Sequence, residues 1–337
     1  MRNIYDLTIK ELEDYFISIN EKKFRAVQVY EALYKRRVTS FDDMTNISKE
    51  VREKLKQDFS FYKIKMLIKQ QGKNVNKYLF ELEDGNKIET VLMFHDYGTS
   101  ICVSSQVGCN MTCAFCESGR LKKVRNLLAY EIVQQILQIE EDINKRITHV
   151  VLMGIGEPFD NYDNVLRFVK IINCGKGIDI GSRHITISTC GVIPGIKKFM
   201  NEEGQVNLAI SLHAPNDALR SRIMPINKAY PLNELMETIK EYINKTNRRV
   251  TFEYIMLDNV NDSEENAKEL ALLLKGINCY VNLIPYNETE NIEFKRTKEW
   301  KIMKFYDILK KNKINVTIRK EFGGSVDAAC GQLRANN

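Results

Sequence analysis

The chain has 337 residues, a formal net charge of +6, 44% hydrophobic and 28% charged residues. That is the balance of an ordinary globular protein with room for one large core and a smaller accessory domain. No uncharged run is long enough to span a membrane, and the start, Met1-Arg2-Asn3-Ile4-Tyr5-Asp6, carries no apolar signal region. Eight cysteines without such a signal point to a reducing cytoplasm, where thiols serve metals or catalysis rather than structural bridges. The mild positive charge permits a polyanionic partner and demonstrates none.

Residues 1–60 read as helical: apolar residues recur at helical spacing over 7–19 and again over 24–34. Lys22, Lys23, Arg25, Lys35, Arg36 and Arg37 cluster here. The ordinary reading is a solvated helix face; the functional one is a phosphate-binding patch on an accessory domain. Over 61–95 the period changes to two. Tyr78, Phe80 and Leu82 alternate with polar residues, Asp84-Gly85 makes a turn, and an apolar run returns over 88–93, the pattern of a β-hairpin. Glu89 shares a face with Val91 and Met93. A carboxylate among apolar neighbours sits either at a sheet edge facing water or in a pocket with a task, and these residues alone favour the edge.

From residue 100 strands alternate with helices. Strands are expected at 100–106, 149–153, 184–189, 206–212, 250–256, 281–285 and 316–319, with helices over 128–143, 161–172, 193–200, 232–243, 263–274 and 297–311. Such alternation implies βαβ units and a parallel sheet. Six units closing part-way give an α/β fold, an open β6/α6 barrel over 96–333. Working residues in such architectures lie at the carboxyl ends of strands. Found there are the loop after the first strand, Gly156-Glu157, Ser188, Ser211-Leu212-His213 and Asn287. Singly these are weak, since a strand-end serine more often caps a helix and a lone histidine is usually a satisfied core residue.

The chemistry centres on Cys109, Cys113 and Cys116, a CxxxCxxC run on one loop. Three thiolates can hold three corners of an iron–sulfur cluster and leave the fourth iron open to a small molecule, as catalytic metals keep an open position. Half a zinc site and unrelated buried thiols remain the alternatives. Near the carboxyl end, Cys330 stands among small residues beside Gly323-Gly324, and Cys102 lies on the strand feeding the cysteine loop. Cys174, Cys190 and Cys279 read as core thiols.

Together these motifs, with Gly154-Ile155-Gly156-Glu157-Pro158, residues 208–216, Met224-Pro225-Ile226-Asn227 and residues 327–333, closely resemble the RlmN/Cfr family of radical S-adenosylmethionine (SAM) RNA methyltransferases over almost the whole chain. The resemblance implies a [4Fe–4S] cluster on Cys109, Cys113 and Cys116, and SAM contacts from Gly156, Glu157, Ser188, Ser211, Leu212, His213 and Asn287. It implies methylation of Cys330, a transient disulfide between Cys330 and Cys102, and Glu89 as proton acceptor, which reverses the edge reading. It further implies two SAM per turnover, 23S rRNA and tRNA adenosines as substrates, and an electron donor such as flavodoxin or ferredoxin. RlmN-type enzymes methylate carbon 2 and Cfr-type enzymes carbon 8. The thiols are common to both, and the runs 154–161 and 282–285 resemble the RlmN branch. Adenine carbon 2 is electron-poor and no nucleophile, so a direct displacement on SAM fails where a radical adds. Glu117, Cys190 and the run 324–327 depart from the family's usual residues at positions with no assigned chemistry.

Overall fold

The computed structural model describes residues 1–319 and 331–333. The amino-terminal segment begins with a two-residue strand β1 (Arg2–Asn3) and three helices, α1 (Ile9–Ser18), α2 (Phe24–Tyr34) and α3 (Lys49–Asp58). Thr8 and Glu11 cap α1 reciprocally, each side chain accepting the other's backbone N–H, which satisfies two otherwise orphaned donors. A short strand β2 (Phe59–Ser60) returns to pair in parallel with β1. Tyr5, ahead of α1, and Phe16, Tyr30 and Tyr34 from the helices belong to the same continuous apolar core as the helices and strands that follow.

Next come β3 (Lys65–Gln71), β4 (Val75–Glu81), β5 (Lys87–His95) and β6 (Gly98–Cys102), an antiparallel meander. The expected hairpin is β4–β5, turned at Gly85 with φ +79°. Strand β6 then pairs in parallel with β9 (His149–Leu152) and so joins the meander to the barrel. The small ribbon of β7 (Gln106–Val107) and β8 (Arg125–Asn126) brackets the cysteine loop. Beyond it lie α4 (Ala129–Ile143), α5 (Tyr162–Ile172), β10 (Ile185–Thr189), α6 (Ile193–Phe199), β11 (Asn207–Ser211) and α7 (Asp217–Ile223). The chain continues through α8 (Leu232–Thr246), β12 (Val250–Met256), α9 (Glu264–Leu273), β13 (Cys279–Pro285), α10 (Glu299–Lys311) and β14 (Val316–Ile318).

All strands from β3 to β14, apart from β7 and β8, form one ten-stranded sheet in the order β14-β13-β12-β11-β10-β9-β6-β5-β4-β3. From β6 to β14 the pairs run parallel, and among the described residues the two ends of the sheet do not pair, which makes the barrel open. Because side chains alternate across a strand, Phe252, Tyr254 and Met256 of β12 pack outward into the core with α8 to α10. Glu253 and Ile255 face the lumen. No helix among the described residues is long and apolar enough to cross a membrane.

Candidate active site

The carboxyl ends of the parallel strands converge on one cavity. Its lining includes Cys109, Cys113 and Cys116, Gly156 and Glu157, Ser188, Ser211 and His213, together with Cys190, Glu253, Arg319 and Gly331. Eight of the residues picked from the sequence therefore meet there. Leu212 and Asn287 do not line it. Leu212 is wholly buried and points into the outer core, as period-two alternation demands of a residue between Ser211 and His213. The Asn287 amide donates to its own neighbour's carbonyl, Pro285 O, at 3.5 Å.

The second strand-end loop is built by close approach. Gly156 has φ +109°, and a Cβ there would stand 2.6 Å from Gln106 Cβ and 2.8 Å from Ser105 Oγ; only glycine fits. Gln106 Oε1 accepts from Glu157 N at 2.9 Å. The Glu157 carboxylate accepts from Phe159 N at 2.9 Å and Cys190 N at 2.8 Å, tying the second loop to the third. Burial pushes its carboxyl up, against the pull of these amides. His213 adopts φ +57°, its Nδ1 accepts from Ile255 N at 3.0 Å, and its ring stands edge-on to Phe115 at 4.8 Å. Burial, helped by Arg220, pushes the imidazole down to about 3, so it is neutral and a structural acceptor as well as a wall of the cavity.

Arg220 was not legible as a site residue. It is fully buried, and its guanidinium donates to Cys190 O at 2.6 Å, Asn227 Oδ1 at 2.8 Å, Leu212 O at 3.2 Å and Ser211 O at 3.3 Å. One planar fork thus fixes the ends of β10 and β11. Its signal in the sequence was indirect, the Asn227 of the Met-Pro-Ile-Asn run. Cys190, read as a core thiol, proves to line the cavity with the three loop cysteines.

Among the described residues no three thiol, imidazole or carboxylate groups close on a single ion. A cluster spreads its irons over a cage, each taking one thiolate, and three thiols lining one buried cavity suit it. Burial pushes the Cys109 thiol up to about 11 and the Cys113 thiol well above its ordinary value, so iron binding there must displace protons.

Glu89 is not at an edge. It is 3% exposed, on β5 with partners on both sides, opposite Leu79 of β4. Its carboxylate pairs with Lys77 Nζ at 3.1 Å, and Ser104 Oγ donates to its carbonyl at 2.6 Å. The edge reading is thus overturned. On the same face Val91 stands opposite Cys102, and Cys102 packs in one apolar cluster with Val75, Met93, Ile155 and Leu333. Cys330 lies outside the described residues. Of the segment after it, Gly331 O accepts from Glu117 N at 2.8 Å and Leu333 O from Ser118 Oγ at 2.6 Å, so the residues directly following cluster-loop Cys116 hold it. In the amino-terminal basic group, Lys23, Arg25, Lys35 and Arg37 pair with Glu13, Glu21, Glu31 and Glu140, which leaves less free charge than the sequence suggested.

Known proteins share this arrangement. A family model for the ribosomal RNA large subunit methyltransferase N-terminal domain matches residues 2–60, and one for the radical SAM superfamily matches residues 103–271. The chain is 53% identical over 341 residues to a probable dual-specificity RNA methyltransferase RlmN of Spiroplasma citri, covering 100% of this chain and 98% of that one. It is 54% identical to the protein of the same name in Enterococcus faecalis, covering 99% and 96%. The crystal structure of a radical SAM methyltransferase from Sphaerobacter thermophilus matches with a TM-score of 0.94 and 41% identity over the whole of both chains. Streptococcus suis SuiB bound to S-adenosylmethionine, at 15% identity and a TM-score of 0.50 over 68% of this chain and 55% of that one, shares the fold alone. With both family models and full-length identity in agreement, the chain belongs to the RlmN family of radical SAM RNA methyltransferases, which work with a [4Fe–4S] cluster and SAM.

Proposed function

We propose that this enzyme methylates carbon 2 of a specific adenosine in 23S rRNA, near the peptidyl-transferase centre, and an adenosine beside the anticodon in tRNA, through a methylated Cys330. The observation that carries the reading is the meeting of parts. The three loop thiols and Gly331 line one cavity, and Leu333 packs against Cys102. The dual-specificity name of its relatives supports two RNA substrates.

Cys109, Cys113 and Cys116 hold the cluster, and the ends of β9, β10 and β11, with Asn287 beyond β13, position SAM. Residues 1–60 act as an RNA-binding accessory domain and 61–95 as an extension of the catalytic core over 96–333. The cluster with SAM supplies one-electron cleavage of a sulfur–carbon bond, and hence the means to take a hydrogen atom from an unactivated methyl group. The rest belongs to this chain. Cys330 receives a methyl group by ordinary displacement, for which its thiolate is the competent form, and carries that carbon to the ring. Glu89, whose buried charge Lys77 compensates, accepts the proton lost from the ring carbon. The Cys102 thiolate then attacks the Cys330 sulfur, forming the Cys102–Cys330 disulfide as the sulfur–carbon bond breaks; the freed methylene takes up a proton to become the product's methyl group, and a dithiol reductant reopens the disulfide for the next turnover. The apolar wall of Val91, Met93 and Ile155 keeps water from these steps. An electron donor of the flavodoxin or ferredoxin type supplies the reducing electron. Mass analysis of rRNA and tRNA from a deletion strain, with and without the gene restored, decides the reading. Restoration of 2-methyladenosine in both RNAs is expected, and 8-methyladenosine would instead assign the Cfr-type reaction.

A further inference from the structure

Among the described residues two buried carboxylates line the lumen, and they are not equivalent. Glu157 has a backbone amide on each of its oxygens, Phe159 N on Oε1 and Cys190 N on Oε2. Glu253, on β12, is 4% exposed and lines the same cavity. Its Oε1 accepts from Asn282 Nδ2 at 2.9 Å, but its Oε2 is buried without a hydrogen-bond partner among the described residues. Arg319 Nη1 stands 3.9 Å from that oxygen, which compensates charge without making the bond.

The sheet register explains how Glu253 is held. Ser211, Glu253, Asn282 and Thr317 are successive partners across β11, β12, β13 and β14. Thr317 Oγ1 donates to Asn282 Oδ1 at 3.1 Å, and Asn282 donates on to Glu253. The relay fixes the carboxylate through one oxygen and leaves the other without a hydrogen bond among the described residues, on a side chain that lines the cavity with Ser211. Leaving a buried carboxylate oxygen unsatisfied is costly, and such a cost is offset when a ligand brings the missing donor.

We propose that Glu253 is a ligand-binding residue of the lumen, taking hydrogen bonds from the vicinal ribose hydroxyls of the SAM nucleoside. The shared chemistry of SAM and RNA is the ribonucleoside, but a nucleotide inside an RNA chain has its 3′ oxygen esterified and offers no diol. A carboxylate held by a second hydrogen bond suits two adjacent hydroxyls, as acidic residues do in nucleotide-binding folds. The inference rests on the placing of SAM in this cavity.

The test uses the reconstituted holoenzyme and calorimetric binding of SAM, its 2′-deoxy and 3′-deoxy analogues, and an rRNA fragment. The wild type is expected to bind the deoxy analogues more weakly than SAM. Glu253→Gln should bind SAM about tenfold or more weakly, the loss expected of a hydrogen bond to a charged group, and should no longer distinguish SAM from the analogues. Iron content and RNA affinity should stay at wild-type values. Asn282→Ala, which frees the carboxylate to turn, should weaken SAM binding less and keep part of the discrimination. If Glu253→Gln binds SAM normally or keeps the full deoxy penalty, or if it loses RNA instead, Glu253 serves only the Arg319 pair or the substrate and the inference is overturned. Wild-type holoenzyme that fails to bind SAM would instead overturn the assignment of the cavity.

Discussion

Two thiols in one reaction must act in a fixed order, and the order is visible in what each variant accumulates. Cys330→Ala has no sulfur to carry the methyl group and should give neither product nor adduct. In the proposed sequence of steps Cys102 acts after carbon–carbon bond formation. Cys102→Ala should therefore still be methylated at Cys330, still cleave SAM, and then stall as a protein–RNA adduct that survives denaturation. Labelled RNA on a denaturing gel checks both, and normal turnover by Cys102→Ala, or an adduct with Cys330→Ala, would exchange or abolish the roles. The cluster thiols make a simpler case. Cys113→Ala leaves two of the three ligands and is expected to load little iron and make no methylated RNA, so full iron content and activity would sink the cluster assignment.

At the scale of elements, the strand-end loops decide whether these side chains meet. The loop Gly154-Ile155-Gly156-Glu157 passes so close to β7 that a methyl group at 156 overlaps Gln106 and Ser105, and the positive φ adds strain. Gly156→Ala is expected to cost about 3 kcal/mol from overpacking and strain together, measured by denaturant unfolding. A loss under about 0.5 kcal/mol, the scatter of an ordinary surface change, would mean the loop relaxes and its geometry is not fixed by glycine. Much of this layer was legible in the sequence, because strands buried on both faces read as apolar runs and the motifs fall where those runs end. Strand β12 was read at its observed bounds, and α2 likewise. The strand β3 was not separately legible: Lys-Met-Leu-Ile-Lys-Gln-Gln is a half-exposed sheet edge with a register shift between Met66 and Ile68, and its pattern breaks where the ladder does. Glu253, Arg220 and Cys190 were missed for a different reason. Their roles come from partners brought together by the sheet register, which no local pattern reports.

At the scale of the whole molecule, the amino-terminal helices are bound to the barrel by shared core and by charge. Arg167 of α5 reaches Glu11 of α1 with Nη1 at 2.5 Å from Oε2, and Arg2 reaches its Oε1 at 3.0 Å. Burial pushes the Glu11 carboxyl up, but Arg167, the Thr8 backbone and hydroxyl, and Arg2 together outweigh it and bring the group from 4.5 to about 2. A carboxyl lowered on folding stabilises the native state above its unfolded value and loses that contribution as the pH falls toward its folded value. Arg167→Ala should thus cost about 1 kcal/mol near neutrality, the upper range for a partly exposed pair, with the deficit shrinking as the pH drops below about 4.5. In a Glu11→Gln background, which cannot titrate, adding Arg167→Ala should cost the same at every pH. Thermal melting of wild type, the two single variants and the double variant between about pH 7 and pH 3 reads this directly. A deficit that stays constant across that range would mean Arg167 holds the two parts together through packing of its alkyl stem, and the charge contributes nothing to the docking of the amino-terminal helices on the barrel.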